Sequence, residues 1–107
     1  MRGITYSINN IPIRLTDERW GHIVENHNEA AGYYFDVLET VNAPALILEG
    51  DEGEVWAVKH ITAGKVILVI YKESIEHHDG FIITAFFTTK VQKLLKRRII
   101  GNQQQKE

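Results

Sequence analysis

The side chains able to do chemistry in this chain are few in kind. There are five histidines, twelve lysines and arginines, and no cysteine. Without cysteine, disulfides, thiolate nucleophiles and thiolate zinc sites are excluded. Neither Ser7 nor Ser74 stands in the glycine-flanked setting of a nucleophile elbow, and the phosphate-cradling loop and dinucleotide fingerprint are both missing. His22 and His27 are five positions apart, which on a helix turns one about 140° from the other and suits one metal ion poorly. His77, His78 and Asp79 are adjacent in a turn, where solvation of the loop accounts for them. No metal and no cofactor are expected.

What remains is His, Lys, Arg and Thr, the inventory of metal-independent RNA cleavage. There the substrate's own 2′-hydroxyl attacks the adjacent phosphorus, so the protein supplies no nucleophile. It must provide a base for the 2′-OH, cations for the phosphorane and an acid for the leaving 5′-oxygen. Histidine suits either proton task because it titrates near neutrality. The charge distribution adds a hint. The net charge of -2 divides into -7 over residues 1–58 and +5 over residues 59–107. Five bases, Lys90, Lys93, Lys96, Arg97 and Arg98, fall within nine residues without an acid among them. Such a segment is a candidate for phosphate-backbone contact, against the plainer reading of a solvated helical face.

The elements that must position these groups are those of one α+β domain. A chain of 107 residues has room for one core; the domain is expected over 1–100, with a disordered polar tail over 101–107. No apolar run approaches the roughly 20 residues that cross a bilayer, and the first residues lack a signal-peptide core, so a cytoplasmic protein with no membrane partner is expected. Residues 3–15 carry a hairpin pattern, with Ile4, Tyr6 and Ile8 alternating before Asn9-Asn10 and Ile11, Ile13 and Leu15 after it. Thr16 is placed to cap a helix running to about His27, with Trp20, Ile23, Val24 and His27 on one stripe and Arg19, His22 and Asn26 on a more polar face. A second helix is expected over Ala30–Val41, stopped by Asn42 and Pro44. Four β runs follow, Ala45–Glu49, Glu54–Ile61, Lys65–Lys72 and Phe81–Thr88, joined by short turns that favour an antiparallel meander. Lys65–Lys72 is apolar at both parities, as a central strand covered on both faces would be. A helix over Lys90–Ile99 would display the basic cluster. The fold expected is therefore two N-terminal helices, preceded by a candidate hairpin, leading into a four-stranded antiparallel sheet with a basic C-terminal helix.

Three strings carry a family resemblance. Leu15–Glu29, LTDERWGHIVENHNE, resembles the "LT-x-ERW-x-HI-x-x-x-HPE" opening of phage-associated nuclease-like domains of the barnase/EndoU/colicin/RelE-type RNase superfamily. Val69–Lys72 resembles that family's strand ending in lysine, and Gly80–Phe86 its "GF-I-x-TA-aromatic" strand. The chain departs from the pattern at Asn28, where the family has proline at the helix exit. The resemblance implies His22 or His27 as general base or acid, Arg19 and Lys72 on the scissile phosphate, and Thr84 orienting a phosphate oxygen, with Thr88 a weaker addition. It implies a toxin- or phage-related endoribonuclease acting on tRNA or other single-stranded or loop RNA, leaving a 2′,3′-cyclic phosphate. A cognate antitoxin or inhibitor is the partner such an enzyme would have. The rival readings are a non-catalytic module of the same fold that binds nucleic acid or protein, and a structural module that forms a homodimer through its two-sided sheet.

Overall fold

A computed structural model describes residues 3–102. Strands β1 (Gly3–Tyr6) and β2 (Pro12–Leu15) pair antiparallel. Their turn is closed by the Asn10 N–H donating to the Ser7 carbonyl at 2.8 Å, with Asn10 at φ 61°, a conformation asparagine tolerates. Thr16 caps α1 (Asp17–Asn26), its hydroxyl accepting from the Arg19 N–H at 3.1 Å, and Asp17 and Glu18 face the positive end of the helix dipole. The helix closes on His27, whose N–H donates to the Ile23 carbonyl at 2.8 Å. A 3-10 turn over Asn28–Gly32 follows, so α2 (Tyr34–Asn42) begins at Tyr34 rather than at Ala30.

After α2 come β3 (Leu46–Glu49), β4 (Val55–Thr62), β5 (Lys65–Ser74), β6 (Asp79–Thr88), a single helical turn α3 (Val91–Leu94) and β7 (Ile99–Asn102). All seven strands form one sheet in the order β1-β2-β6-β5-β4-β3-β7, with β5 at its centre. The sheet is mixed, because β2 runs parallel to β6 through the pairs Ile13–Gly80 and Arg14–Phe81.

This corrects the expected two helices leading into a four-stranded antiparallel sheet with a basic C-terminal helix. The hairpin belongs to the sheet itself rather than standing apart before the helices, since β2 docks on β6. The segment Lys90–Ile99 is not one helix. Helical bonding gives way to i−3 bonds from Lys96 and Arg97, and Ile99 and Gly101 then pair with Leu48 and Ile47. The backbone on that side of β3 would otherwise be an unpaired edge, and satisfying it outweighs extending a short basic helix. Gly101 and Asn102, the start of the expected tail, finish β7; 103–107 lie outside the described residues.

The two faces of the sheet carry two cores. On one, Val37 and Val41 of α2 and Ile23 of α1 pack on Ile13, Leu15, Ala57, Ile67, Val69, Tyr71, Ile82 and Ala85. On the other, Leu94 of α3 packs with Leu48, Val58, Val66 and Leu68, joined by Ile70, Phe86 and Val91. The α2 helix is tied to β1 by the Thr5 hydroxyl donating to the Leu38 carbonyl at 2.9 Å and by the Asn42 amide donating to the Tyr6 carbonyl at 3.0 Å. The sheet curls until its ends meet: a Cβ on Gly101 would stand 3.3 Å from Ile8 Cδ1 and 3.2 Å from Ile47 Cδ1.

Two glycines separate close packing from helix propensity. A Cβ on Gly80 would lie 2.5 Å from both the Lys72 carbonyl oxygen and Ile13 Cδ1, whereas one on Gly21 meets nothing within 4 Å. In urea denaturation, Gly80→Ala is expected to lose about 1–3 kcal/mol through overpacking at the β2–β6–β5 junction. Gly21→Ala, in the exposed middle of α1, should gain about 0.5–1 kcal/mol.

Candidate functional site

The face of the sheet away from α2 carries three of the candidate residues, His27, Thr84 and Lys72, and an irregularity in β6 puts Thr84 there. Lys72 pairs with Phe81 and Tyr71 with Ile82, but Ile70 pairs with Thr84, leaving Ile83 without a cross-strand partner. Side chains alternate with period two, so regular pairing from Lys72–Phe81 would have sent Thr84 to the α2 side. The extra residue shifts the phase. Thr84, Phe86 and Thr88 thereby share a face with Phe81, Lys72, Ile70 and Leu68. Bulges of this kind recur beside functional sites because they re-aim side chains.

His27 reaches the same face from α1. The pairing of β2 with β6 stops at Arg14–Phe81, and the end of α1 and the following 3-10 turn pack alongside the rest of β6. There the half-buried His27 imidazole lies 5.3 Å from the Phe86 ring, tilted by 38°, and Tyr33 meets Phe87 edge-on at 4.8 Å. The chain passes from His27 straight into the 3-10 turn, whose first bond runs from the Ala30 N–H to the His27 carbonyl at 2.9 Å. Along the face the order is His27 on Phe86, then Thr84, then Lys72. Lys72 stands about 13 Å along β5 from the level of Phe86, at some 3.3 Å per residue, with Thr84 between.

The other predicted residues are placed differently. His22 points outward from α1, 54% exposed, with Glu18 at 4.0 Å and Glu25 at 3.9 Å on either side. It lines a shallow groove with Trp20, Gly21, Val24 and Asn28, separate from the cleft at Lys72. Arg19 is exposed on α1 and enters the lining of neither groove. Lys72 is exposed at a cleft it shares with Ser74, His77, Asp79 and Phe81. There Ser74 Oγ and His77 Nδ1 are 3.0 Å apart, the His77 N–H donates to the same hydroxyl at 3.1 Å, and His78 turns the chain at φ 54°. Among the described residues, no group of three or more His, Asp or Glu side chains is arranged to hold a metal ion.

The basic cluster divides. Lys90, Lys93 and Lys96 are exposed, and Lys90 borders a groove with Lys65, Thr88 and Thr89. Arg97 is engaged within the protein. Its guanidinium donates to both Asp51 carboxylate oxygens, at 2.9 and 3.1 Å, and lies 3.8 Å from the Trp56 ring centre. Arg98 approaches Glu49 at 3.9 Å. Hydrogen bonding and charge from Arg97 hold the Asp51 carboxyl below its ordinary range. Glu54 is lowered chiefly by its own backbone N–H and that of Glu52. Burial pushes the Tyr71 phenol far above its ordinary value, with Glu73 adding to the shift, so Tyr71 stays neutral in the core.

Arg14, Phe81 and His77, to which the sequence assigned no catalytic or phosphate-binding role, also gather near Lys72. Arg14 was legible as the outward residue between Ile13 and Leu15. Phe81 lies in the Gly80–Phe86 string. Comparison with family models, with curated proteins and with solved structures finds no match to this chain.

Arg97 and its neighbours should differ in what they contribute. Arg97→Ala removes a cation–aromatic contact worth about 0.5–1 kcal/mol and should lower Tm by several degrees, roughly 4–8 °C for each kcal/mol in a domain of this size. The triple substitution of Lys90, Lys93 and Lys96 by alanine should leave Tm nearly unchanged. A depressed folded-state carboxyl stabilises above its unfolded value and loses that stabilisation as pH falls through the folded one. The gap between wild type and Arg97→Ala should therefore narrow only in acid, below the ordinary aspartate range. A gap that narrows at neutral pH contradicts the Asp51 pairing.

Proposed function

We propose that this chain is a metal-independent endoribonuclease acting in the cytoplasm. The observation that carries the proposal is the common placement of His27, Thr84 and Lys72 on one partly open sheet face through the β6 bulge. Support also comes from the resemblance of the α1, β5 and β6 strings to the RNase superfamily, whose five implied residues include these three, although His22 and Arg19 lie elsewhere.

In this reading the scissile phosphate lies over Thr84. His27 accepts the 2′-OH proton as the 2′-oxygen bonds to phosphorus. Lys72 balances the charge of the phosphorane and protonates the departing 5′-oxygen as the P–O5′ bond breaks. Thr84 donates a hydrogen bond to a non-bridging oxygen. The products are a 2′,3′-cyclic phosphate and a 5′-hydroxyl, and solvent restores both protonation states. Lys90, Lys93 and Lys96 extend the phosphate track, whereas Arg97 serves the fold. His22 and Arg19 stay outside the constellation. An inhibitor protein covering this face is the partner that such an activity calls for.

The test is incubation with labelled tRNA and a mixed-sequence RNA in EDTA. Discrete fragments with cyclic phosphate ends are expected, and RNA with a 2′-deoxy scissile nucleotide should survive. His27→Ala and Lys72→Ala should each slow cleavage by about 10²–10⁴-fold, with folding verified by circular dichroism, while His22→Ala should cut at the wild-type rate. Cleavage that survives both His27→Ala and Lys72→Ala contradicts the site. RNA that is retarded but never cut favours the non-catalytic binding module.

A further inference from the structure

Three register partners on adjacent strands form a row across the open part of the same face. Arg14 of β2 pairs with Phe81 of β6, and Phe81 pairs with Lys72 of β5. Register partners on neighbouring strands point to the same side of a sheet, and this side is away from α2. Ile13 and Gly80, the preceding pair, face the core, with Ile13 fully buried. An aromatic ring thus stands between two cations, each about 4.8 Å away in strand spacing. Phe81 is 48% exposed. Arg14 is half exposed, and its guanidinium is steered by a 3.0 Å ion pair from Nη2 to Asp79. Five N–H donors make up the guanidinium fork, so the bond to Asp79 leaves most of them for a further acceptor. Lys72 is exposed at the cleft that Phe81 shares with His77.

We infer that Arg14, Phe81 and Lys72 form a subsite for one unpaired nucleotide of a single-stranded nucleic acid, whose base stacks on Phe81 and whose flanking phosphates lie on Arg14 and Lys72. The chemistry of the row fits that ligand on both counts. A base offers a flat π-face to an exposed ring whatever its identity, and a phosphate stands on each side of every nucleotide to meet the two cations. A duplex fits poorly, because its bases are stacked on one another and not free to reach the ring. An acidic peptide would use the cations and leave the ring without a partner. The inference builds on the nuclease reading through Lys72, since it places a base beside the phosphate that Lys72 holds there. Its test is a binding measurement in which no cleavage can occur.

The probe is a fluorescein-labelled 2′-O-methyl oligonucleotide of mixed sequence, whose blocked 2′-oxygen cannot attack phosphorus, followed by anisotropy over a series of salt concentrations. Wild type should bind it, and the complementary duplex should compete weakly. Phe81→Ala should weaken binding roughly 5- to 100-fold, as loss of one stacked base does, and Phe81→Leu should weaken it equally, since leucine restores apolar bulk without a π-face. Phe81→Trp should bind at least as well as wild type. Arg14→Gln and Lys72→Gln should each reduce the salt slope by about 1. Wild type that fails to bind overturns the inference. So does Phe81→Ala or Phe81→Leu that binds like wild type. Binding that depends on Phe81, in a protein that leaves unmodified RNA intact, upholds the subsite while rejecting the nuclease. RNA cleavage with binding indifferent to Phe81 does the reverse.

Discussion

The pairing of β5 with β6, with its single unpaired residue at Ile83, is the constraint on which both sides of this protein depend. Before the bulge, Tyr71–Ile82 faces α2 and Lys72–Phe81 faces away. Beyond it, Val69–Ala85 faces α2 while Ile70–Thr84 and Leu68–Phe86 face away. A regular ladder would satisfy one half of β6 and invert the other. It would drive Thr84 and Phe86 beneath the helices, where the Thr84 hydroxyl would need a hydrogen-bond partner, and turn Ala85 and Phe87 out of the core beneath α2. The same extra residue thus serves the core and the candidate site.

Around that axis the charges largely answer one another within the fold. The acidic segment at the end of β3 and the bases before β7 meet through Asp51–Arg97 and Glu49–Arg98, with the Arg97 guanidinium over the Trp56 ring. Part of the division between an acidic first half and a basic second half is therefore internal pairing that fastens the last strand. Lys59 with Glu39 at 3.1 Å and Lys65 with Glu29 at 3.7 Å tie the sheet to the helical segment in the same way. Lys72, Lys90, Lys93 and Lys96, which are exposed and take no part in these pairs, are the cations the functional reading uses, whereas Arg19, also exposed, is not among them.

What could be read from the sequence was local. The Asn9-Asn10 turn, the Thr16 cap and the two-sided apolar pattern of β5 each follow from neighbouring residues, and each has its counterpart in the structure, whereas of the α1 stripe Ile23 alone is buried and Val24 lines the outer groove. The parallel contact of Ile13 and Arg14 with Gly80 and Phe81 joins distant segments, and no short-range signal announces it. The strand Ile99–Asn102 is only four residues long and follows a run without glycine or proline, which reads as helix until the open edge of β3 is considered. At the site, Lys72 and Thr84 stand in short strings legible in the sequence, but their common face depends on a one-residue phase shift that period-two alternation does not reveal. The His77 turn read as solvated loop, and it is exposed, yet its bonds to Ser74 place it beside Lys72.

The most direct measurement is of the register itself. In nuclear Overhauser spectra of the isotope-labelled protein, backbone contacts should pair Ile70 with Thr84 and Tyr71 with Ile82, with Ile83 showing no partner on β5. Contacts pairing Ile70 with Ile83 and Val69 with Thr84 would mean a regular ladder. Thr84 would then face the helices, and the shared face of His27, Thr84 and Lys72 would not exist.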